Sequence, residues 1–195
     1  MTRVTVHKFG GTSVADAGRF DGVASIIAER GGTESRPVIV VSAMAGVTDA
    51  LIEGARRATD GDCLKPARVL DDLASQHVAV AETLLGPSER EAFDAGLRGR
   101  LETVRRLYDA LSVLGELTPR TRDAVMGHGE RLSSILLAEV LRARGLCAEA
   151  IDATELIVTD DRFGAASPRM DLTRERIRQI RRDALMRLYE HMEAE

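Results

Sequence analysis

Aromatic residues are scarce in this chain, at 3% of 195 residues, and tryptophan is absent. A core built from it must therefore be mostly aliphatic. Cysteine is nearly absent too. Cys63 and Cys147 are distant in sequence and lack any CxxC or Cys/His spacing, which fits idle or buried thiols in a reducing compartment. An excess of positive charge is missing: the net charge of −4 argues against whole-molecule attraction to nucleic acid or acidic lipid, while leaving room for a local basic patch. Long apolar runs are missing as well. The longest, Val38 to Val47, is about half the roughly 20 residues of a spanning helix and contains Ser42 and Gly46. The N-terminus runs straight into a charged, strand-like segment, so no signal peptide is expected. These features lead us to expect a cytoplasmic protein without a membrane partner. What remains, 44% hydrophobic and 30% charged, is ordinary for a globular domain of this length, with one good core and space for a small appendage.

β-branched residues dominate Arg3 to Phe9, which reads as a strand, and Gly10-Gly11 breaks it. Asp16 to Arg30 reads as a helix with Phe20, Val23, Ile26 and Ile27 on one side. "RPVIVVSAMAG" is a continuous apolar run that suits a strand covered on both faces. Thr48 is placed to cap the next helix, with Leu51, Ile52 and Ala55 on its face. From Asp62 to Arg144 the pattern is helical, with breaks at Gly86-Pro87, Gly115 and Thr118-Pro119. The last of these helices carries Leu132, Ile135, Leu136, Val140 and Ala143 and stops at Gly145. "CAEAIDA" reads as a third strand and "LIVTDD" as a short fourth. Strands alternating with helices predict an open, mainly parallel α/β sheet with helices on its faces.

Three stretches carry chemistry. In "VHKFGGTSV", Gly10 and Gly11 allow a sharp turn and close ligand approach, the helix beyond offers N–H groups and its positive dipole end, and Lys8 places a cation at the mouth. That is an anion site, most plausibly for phosphate, although a plain strand-to-helix turn fits the pattern as well. It is neither a Walker loop nor GxGxxG. In "SAMAGVTD", Ser42 and Thr48 should share the carboxyl edge of the sheet with Lys8 and Gly10. Their hydroxyls either hold a small polar substrate or serve only as caps. In "GHGERLS", Glu130 opens a helix, where the dipole favours a carboxylate regardless of function and where it can also bind a substrate ammonium. His128 reads as structural more readily than as catalytic.

In this order, "KFGGTSVAD", "VVSAMAGVTD" and "GHGERLS" resemble the aspartokinases of the amino-acid kinase family, and "DDRFGAASP" is similar to their pattern. The resemblance covers roughly residues 1 to 170. It implies a three-layer α/β/α sandwich and phosphoryl transfer from ATP, with Mg2+ carried by the nucleotide, to the side-chain carboxylate of L-aspartate. By the same resemblance, Lys8 neutralises charge on the transferring group and is the catalytic residue. Lys8, Gly10, Gly11, Thr12 and Ser13 line the phosphate site, Ser42, Thr48 and Glu130 bind aspartate with Glu130 on its α-ammonium, and no protein metal site is implied.

Family members continue with a Gly-rich stretch containing Arg, Ser and Asp, then a nucleotide-holding half. No RGGSD-like stretch follows Gly164, so the expectation is a kinase lobe whose nucleotide-binding half is missing and which holds ATP if a complementary half is supplied. Residues 171 to 195 read instead as a helical tail. Asp171 or Thr173 caps it, and Ile177, Ile180, Ala184 and Leu188 form an apolar stripe among charges. "TRERIRQI" resembles the recognition helix of bacterial sigma factors, but no preceding helix of that motif is recognisable, so a solvated amphipathic helix is the expected reading and a nucleic-acid partner is not expected. The alternatives to an aspartate kinase-type enzyme are a non-catalytic aspartate-binding lobe and a fusion whose tail helix contacts DNA. A sheet cut short exposes an edge and an apolar face, so self-association is expected.

Overall fold

The computed structural model describes residues 3–30 and 35–193. They divide into two compact units, Met1–Ala150 and Ile151–Glu195. That division falls earlier than the end of the family resemblance near residue 170.

In the first unit, β1 (Arg3–Phe9) pairs in parallel with β2 (Ser35–Val41). The crossover between them is α1 (Ala17–Arg30). Val6 stands opposite Val38, Lys8 opposite Val40 and Phe9 opposite Val41, so both strands end at the same edge. Five helices follow: α2 (Val47–Thr59), α3 (Leu64–Leu84), α4 (Pro87–Leu114), α5 (Pro119–Met126) and α6 (His128–Ala143). Their boundaries have local causes. Pro87 and Pro119 sit in the first turns of α4 and α5, where a missing N–H costs nothing. Thr118 caps α5 by accepting a hydrogen bond from the Thr121 N–H. Gly115 ends α4 in the left-handed conformation, φ 69°.

The helices bury stripes at helical spacing: Val69, Leu73, His77 and Val80 on α3, Phe93, Leu97, Val104, Tyr108 and Leu111 on α4, Leu132, Leu136 and Val140 on α6. Each fully buried aliphatic side chain contributes about 1.5–3 kcal/mol. Phe9, Ile39 and Val41 turn one face of the sheet toward this aliphatic core. The expectation of a strand covered on both faces is not met. Val4 and Val6 are 63% exposed and Val38 and Val40 nearly half exposed, because among the described residues of this unit no element packs on that side of the two strands. The class is α/β, as expected, with the helices dominating and the parallel sheet small.

The third and fourth strands read from the sequence do not form. "CAEAIDA" is irregular, and Ala153–Leu156 within "DATELIV" makes a single helical turn, α7, capped by Asp152 through the Thr154 N–H. The rest of the second unit is a loop closed by one antiparallel bridge between Thr159 and Pro168. Asp160 fastens it, accepting from the N–H groups of Ser167 (3.0 Å) and Arg162 (3.3 Å), and these bonds hold its carboxyl below the usual carboxylate range. The long helix α8 (Met170–Glu193) follows. Thr173 does not cap it: the side chain is buried, and its hydroxyl accepts from the Val158 N–H at 3.0 Å. Ile177 and Ile180 are over 40% exposed on α8, and the side chains of Ala184 and Leu188 lie outside the described residues.

Candidate functional site

The parallel register delivers two loops to one edge. Residues 10–16 leave Phe9 and residues 42–46 leave Val41, and the Ser42 N–H donates to the Phe9 carbonyl at 3.1 Å, extending the ladder one step into the loops. Lys8 is exposed near the end of β1, with its Nζ beside Gly10.

The first loop differs from its expected form. Neither Gly10 nor Gly11 takes a positive φ, and Gly10 is extended at φ −81°, ψ 172°. Nor does α1 begin directly after them. A 3₁₀ turn, Gly11–Val14, comes first, closed by the Ser13 N–H on the Gly10 carbonyl at 2.9 Å. The carboxylate of Asp16 then accepts from the Arg19 N–H at 2.9 Å, so an acidic oxygen occupies the start of α1. The backbone donors at this edge are therefore those of the 3₁₀ turn. The Gly11 and Thr12 N–H groups lead it and have no acceptor within it.

What Gly11 supplies is closeness. A Cβ built there would lie 2.9 Å from the Ala43 carbonyl oxygen. Backbone of the first loop is thus pressed against backbone of the second. The third stretch meets the same residue from another side: a Cβ on Gly129 would lie 2.7 Å from the Ala43 Cβ and 3.2 Å from a methyl of Val47. Ala43 is buried and contacts both, so the three motif-bearing segments converge on one alanine. Glu130, next to Gly129 in the first turn of α6, is exposed, and His128 on its other side is buried.

Thr48 and Ser42 are half-buried at this same edge. Thr48 is not the cap of α2. Gly46 is, with φ 80°, so Thr48 falls inside the first helical turn and its hydroxyl has no capping role. One contributor lay outside the sequence motifs: the Gln76 side-chain amide on α3 donates to the Ala45 carbonyl at 3.2 Å. No local pattern marks it, since its partner is 31 residues away.

Among the described residues no group of three or more His, Cys, Asp or Glu side chains is placed to hold a metal ion, and no helix is long and apolar enough to cross a membrane. A shallow pocket of about 150 Å³ lies between the α2–α3 turn and α4, lined by Asp62, Cys63, Leu70, Arg105 and Tyr108. None of the motif residues lines it, so the loop edge is the better candidate on chemical grounds.

The chain is similar to known proteins in sequence and in fold. The chain is 31% identical over 173 residues to the lysine-sensitive aspartokinase 3 of Escherichia coli, covering 86% of this chain and 35% of that protein. It is 34% identical over 153 residues to the chloroplastic bifunctional aspartokinase/homoserine dehydrogenase 1 of Arabidopsis thaliana, covering 78% of this chain and 16% of that one. In three dimensions it superposes on the E. coli aspartokinase III solved in complex with aspartate and ADP, with a TM-score of 0.78 and 30% identity over 96% of this chain and 39% of the other. The chain therefore spans about a third of the length of the E. coli enzyme. Residues 3–193, α8 included, match the family profile, and the chain belongs to the amino acid kinase family.

Proposed function

We propose that this chain is the aspartate-binding, phosphoryl-accepting part of an aspartate kinase, acting in the cytoplasm on L-aspartate and ATP to give 4-phospho-L-aspartate. The observation that carries it is the convergence of the Gly11, Ala43 and Gly129 segments. The three segments joined there carry a cation (Lys8), loop N–H donors, two hydroxyls (Ser42, Thr48) and a carboxylate (Glu130), the set of groups such a site needs. Its likeness to relatives named aspartokinase, one solved with aspartate and ADP, supports the substrate.

The residues present suit a phosphate. Lys8, the Gly11 and Thr12 N–H groups and the Thr12 and Ser13 hydroxyls would hold it, and Mg·ATP supplies the transferable phosphoryl group and the metal charge. Lys8 offsets negative charge that develops as the phosphoryl group moves. The loop N–H groups fix its orientation without side-chain reorganisation. Glu130 faces the α-ammonium of aspartate, and the Ser42 and Thr48 hydroxyls orient its carboxylates, bringing the side-chain carboxylate toward the phosphate. Membership of α8 in the family match weighs against a separate DNA-reading tail.

A hydroxamate assay for aspartyl phosphate, run with ATP and L-aspartate on the full chain, tests the proposal. Lys8→Ala should lower turnover by about 10²–10³-fold, the scale of one preorganised electrostatic donor. L-aspartate binding by calorimetry should weaken in Glu130→Gln. An unaltered binding isotherm in that variant, or equal hydroxamate formation with and without the Lys8 ammonium, overturns the assignment.

A further inference from the structure

We propose that Gln76 is a positioning residue for the substrate loop, acting by locking one peptide group of a turn into one of two orientations; this rests on the aspartate-site reading above. Residues 44–47 form a β-turn closed by the Val47 N–H on the Met44 carbonyl at 3.1 Å. Gly46, its third residue, has φ 80° and ψ −15°, and no non-glycine residue has a positive φ. Those angles define a type II turn. Types I and II differ by a flip of the central peptide, here the Ala45–Gly46 group, and glycine permits both.

The flipping group is the one Gln76 holds. Its amide donates to the Ala45 carbonyl at 3.2 Å across 31 residues, and since a carbonyl only accepts, the bonding atom must be the side-chain nitrogen. In the flipped turn that carbonyl would point the opposite way and Gln76 would lose its acceptor. The planar trans peptide then fixes the Gly46 N–H antiparallel to the held carbonyl. On the other flank, Gly11 packs on the same segment, with its missing Cβ position 2.9 Å from the Ala43 oxygen and 4.0 Å from the Ala45 nitrogen. The turn is thus held between α3 and the phosphate loop, and it sits between Ser42 and Thr48, the two hydroxyls assigned to aspartate. Gln76 touches neither ligand group; it sets the backbone from which both project.

Two readouts on the full chain test this. The first is the backbone amide spectrum of residues 44–48 in Gln76→Leu and Gln76→Glu, neither of which can donate to the Ala45 carbonyl. Large shifts at Gly46 and Val47 are expected, with the remaining spectrum and the melting temperature little changed. The second is L-aspartate affinity, expected to fall about three- to tenfold, the worth of one net hydrogen bond. Because Gly46→Ala already disfavours the type II turn, adding Gln76→Leu to it should cost little more, a coupling that two independent structural losses would not show. Wild-type affinity in Gln76→Leu overturns the proposal while leaving the aspartate site intact. If the unaltered chain binds no aspartate, the substrate reading fails on its own, and the amide spectrum still decides the turn: unmoved Gly46 and Val47 signals refute the lock.

Discussion

Gly129 lies so close to Ala43 that a single methyl group does not fit between them, the built Cβ standing 2.7 Å from that of Ala43. Two effects compete in Gly129→Ala. Alanine is favoured over glycine inside a helix by about 0.5–1 kcal/mol. Against that, the new methyl meets a buried Cβ and the Val47 side chain, neither of which is the loose end of a flexible chain, and such overpacking costs about 1–3 kcal/mol. The clash wins, so Gly129→Ala should lower stability by about 1–2 kcal/mol and weaken aspartate binding by displacing the start of α6. Gly99, in the middle of α4 with nothing within 4 Å of its Cβ position, is the matched control. There the same substitution should stabilise by about 0.4–1 kcal/mol. Urea denaturation of the two variants checks both signs at once.

A second tight contact has a different chemistry. Gly54 stands in the interior of α2, where glycine is unfavourable, and the reason is Tyr108 of α4: the built Cβ would be 2.6 Å from the phenol oxygen and 2.8 Å from the ring carbon that bears it. The Tyr108 hydroxyl passes through that gap to donate to the Leu51 carbonyl at 2.9 Å, and burial pushes its ionisation well above the ordinary tyrosine range. Gly54→Ala should therefore cost about 1–3 kcal/mol and Tyr108→Phe about 1 kcal/mol. The double variant should be less damaged than the sum, because removing the oxygen relieves the closest contact. Strict additivity in thermal melts would contradict this packing.

These contacts also mark the limit of what the sequence revealed. β1, β2 and the breaks at Pro87, Gly115 and Pro119 were legible because their causes are local: β-branched runs, a ring that fixes φ, a residue without a side chain. The shared edge of the first two motif loops followed from parallel strands, whereas the third reaches them through the packing of Gly129 on Ala43, which no local pattern announces. The extra strands were misread for a physical reason. Ile151 and Ile157 sit in strand-like patterns, yet a strand needs a partner's backbone, and both residues remain about half exposed without one. Thr48 was misplaced by the turn at Gly46, which starts α2 too early for a threonine cap at that position. Gln76 and Tyr108 act on carbonyls 31 and 57 residues away, and no local pattern encodes such a bond. A glycine in mid-helix at position 54 was the one available hint.

His77 makes stability depend on pH. It is fully buried on α3, its Nδ1 lies 2.7 Å from the Leu73 carbonyl, and Nε2 has no hydrogen-bond partner among the described residues. The ring is neutral, donating from Nδ1, and burial depresses its pKa below the ordinary histidine value. The unfolded chain therefore takes up a proton that the folded chain resists. The stabilisation is complete above about pH 6.5, the unfolded value, and is lost as pH falls below it. Glu53, held down to about 2 by Arg56 and Arg57, changes the balance only at much lower pH. Between pH 7.5 and 5.5 the free energy of unfolding should decline, and His77→Met should flatten that slope even if it lowers stability overall. Parallel slopes for the two proteins would assign the effect to other groups.

The uncovered side of the sheet predicts association. Val4 and Val6 on β1 and Val38 and Val40 on β2 point the same way, because Val6 pairs with Val38 and Lys8 with Val40 in an in-register ladder. Four valines, each between 46% and 63% exposed, make an apolar strip, and among the described residues each of the two strands also presents an unpaired edge. A second copy of the chain offers the same strip, and stacking two such faces about 10 Å apart is how sheets bury valine. Sedimentation velocity should show a concentration-dependent dimer. Val6→Lys and Val38→Glu, each placing a charge at the centre of the strip, should return it to monomer with little change in melting temperature, because neither side chain faces the core. A monomer at all concentrations, indifferent to both substitutions, would mean the valines contribute nothing to assembly.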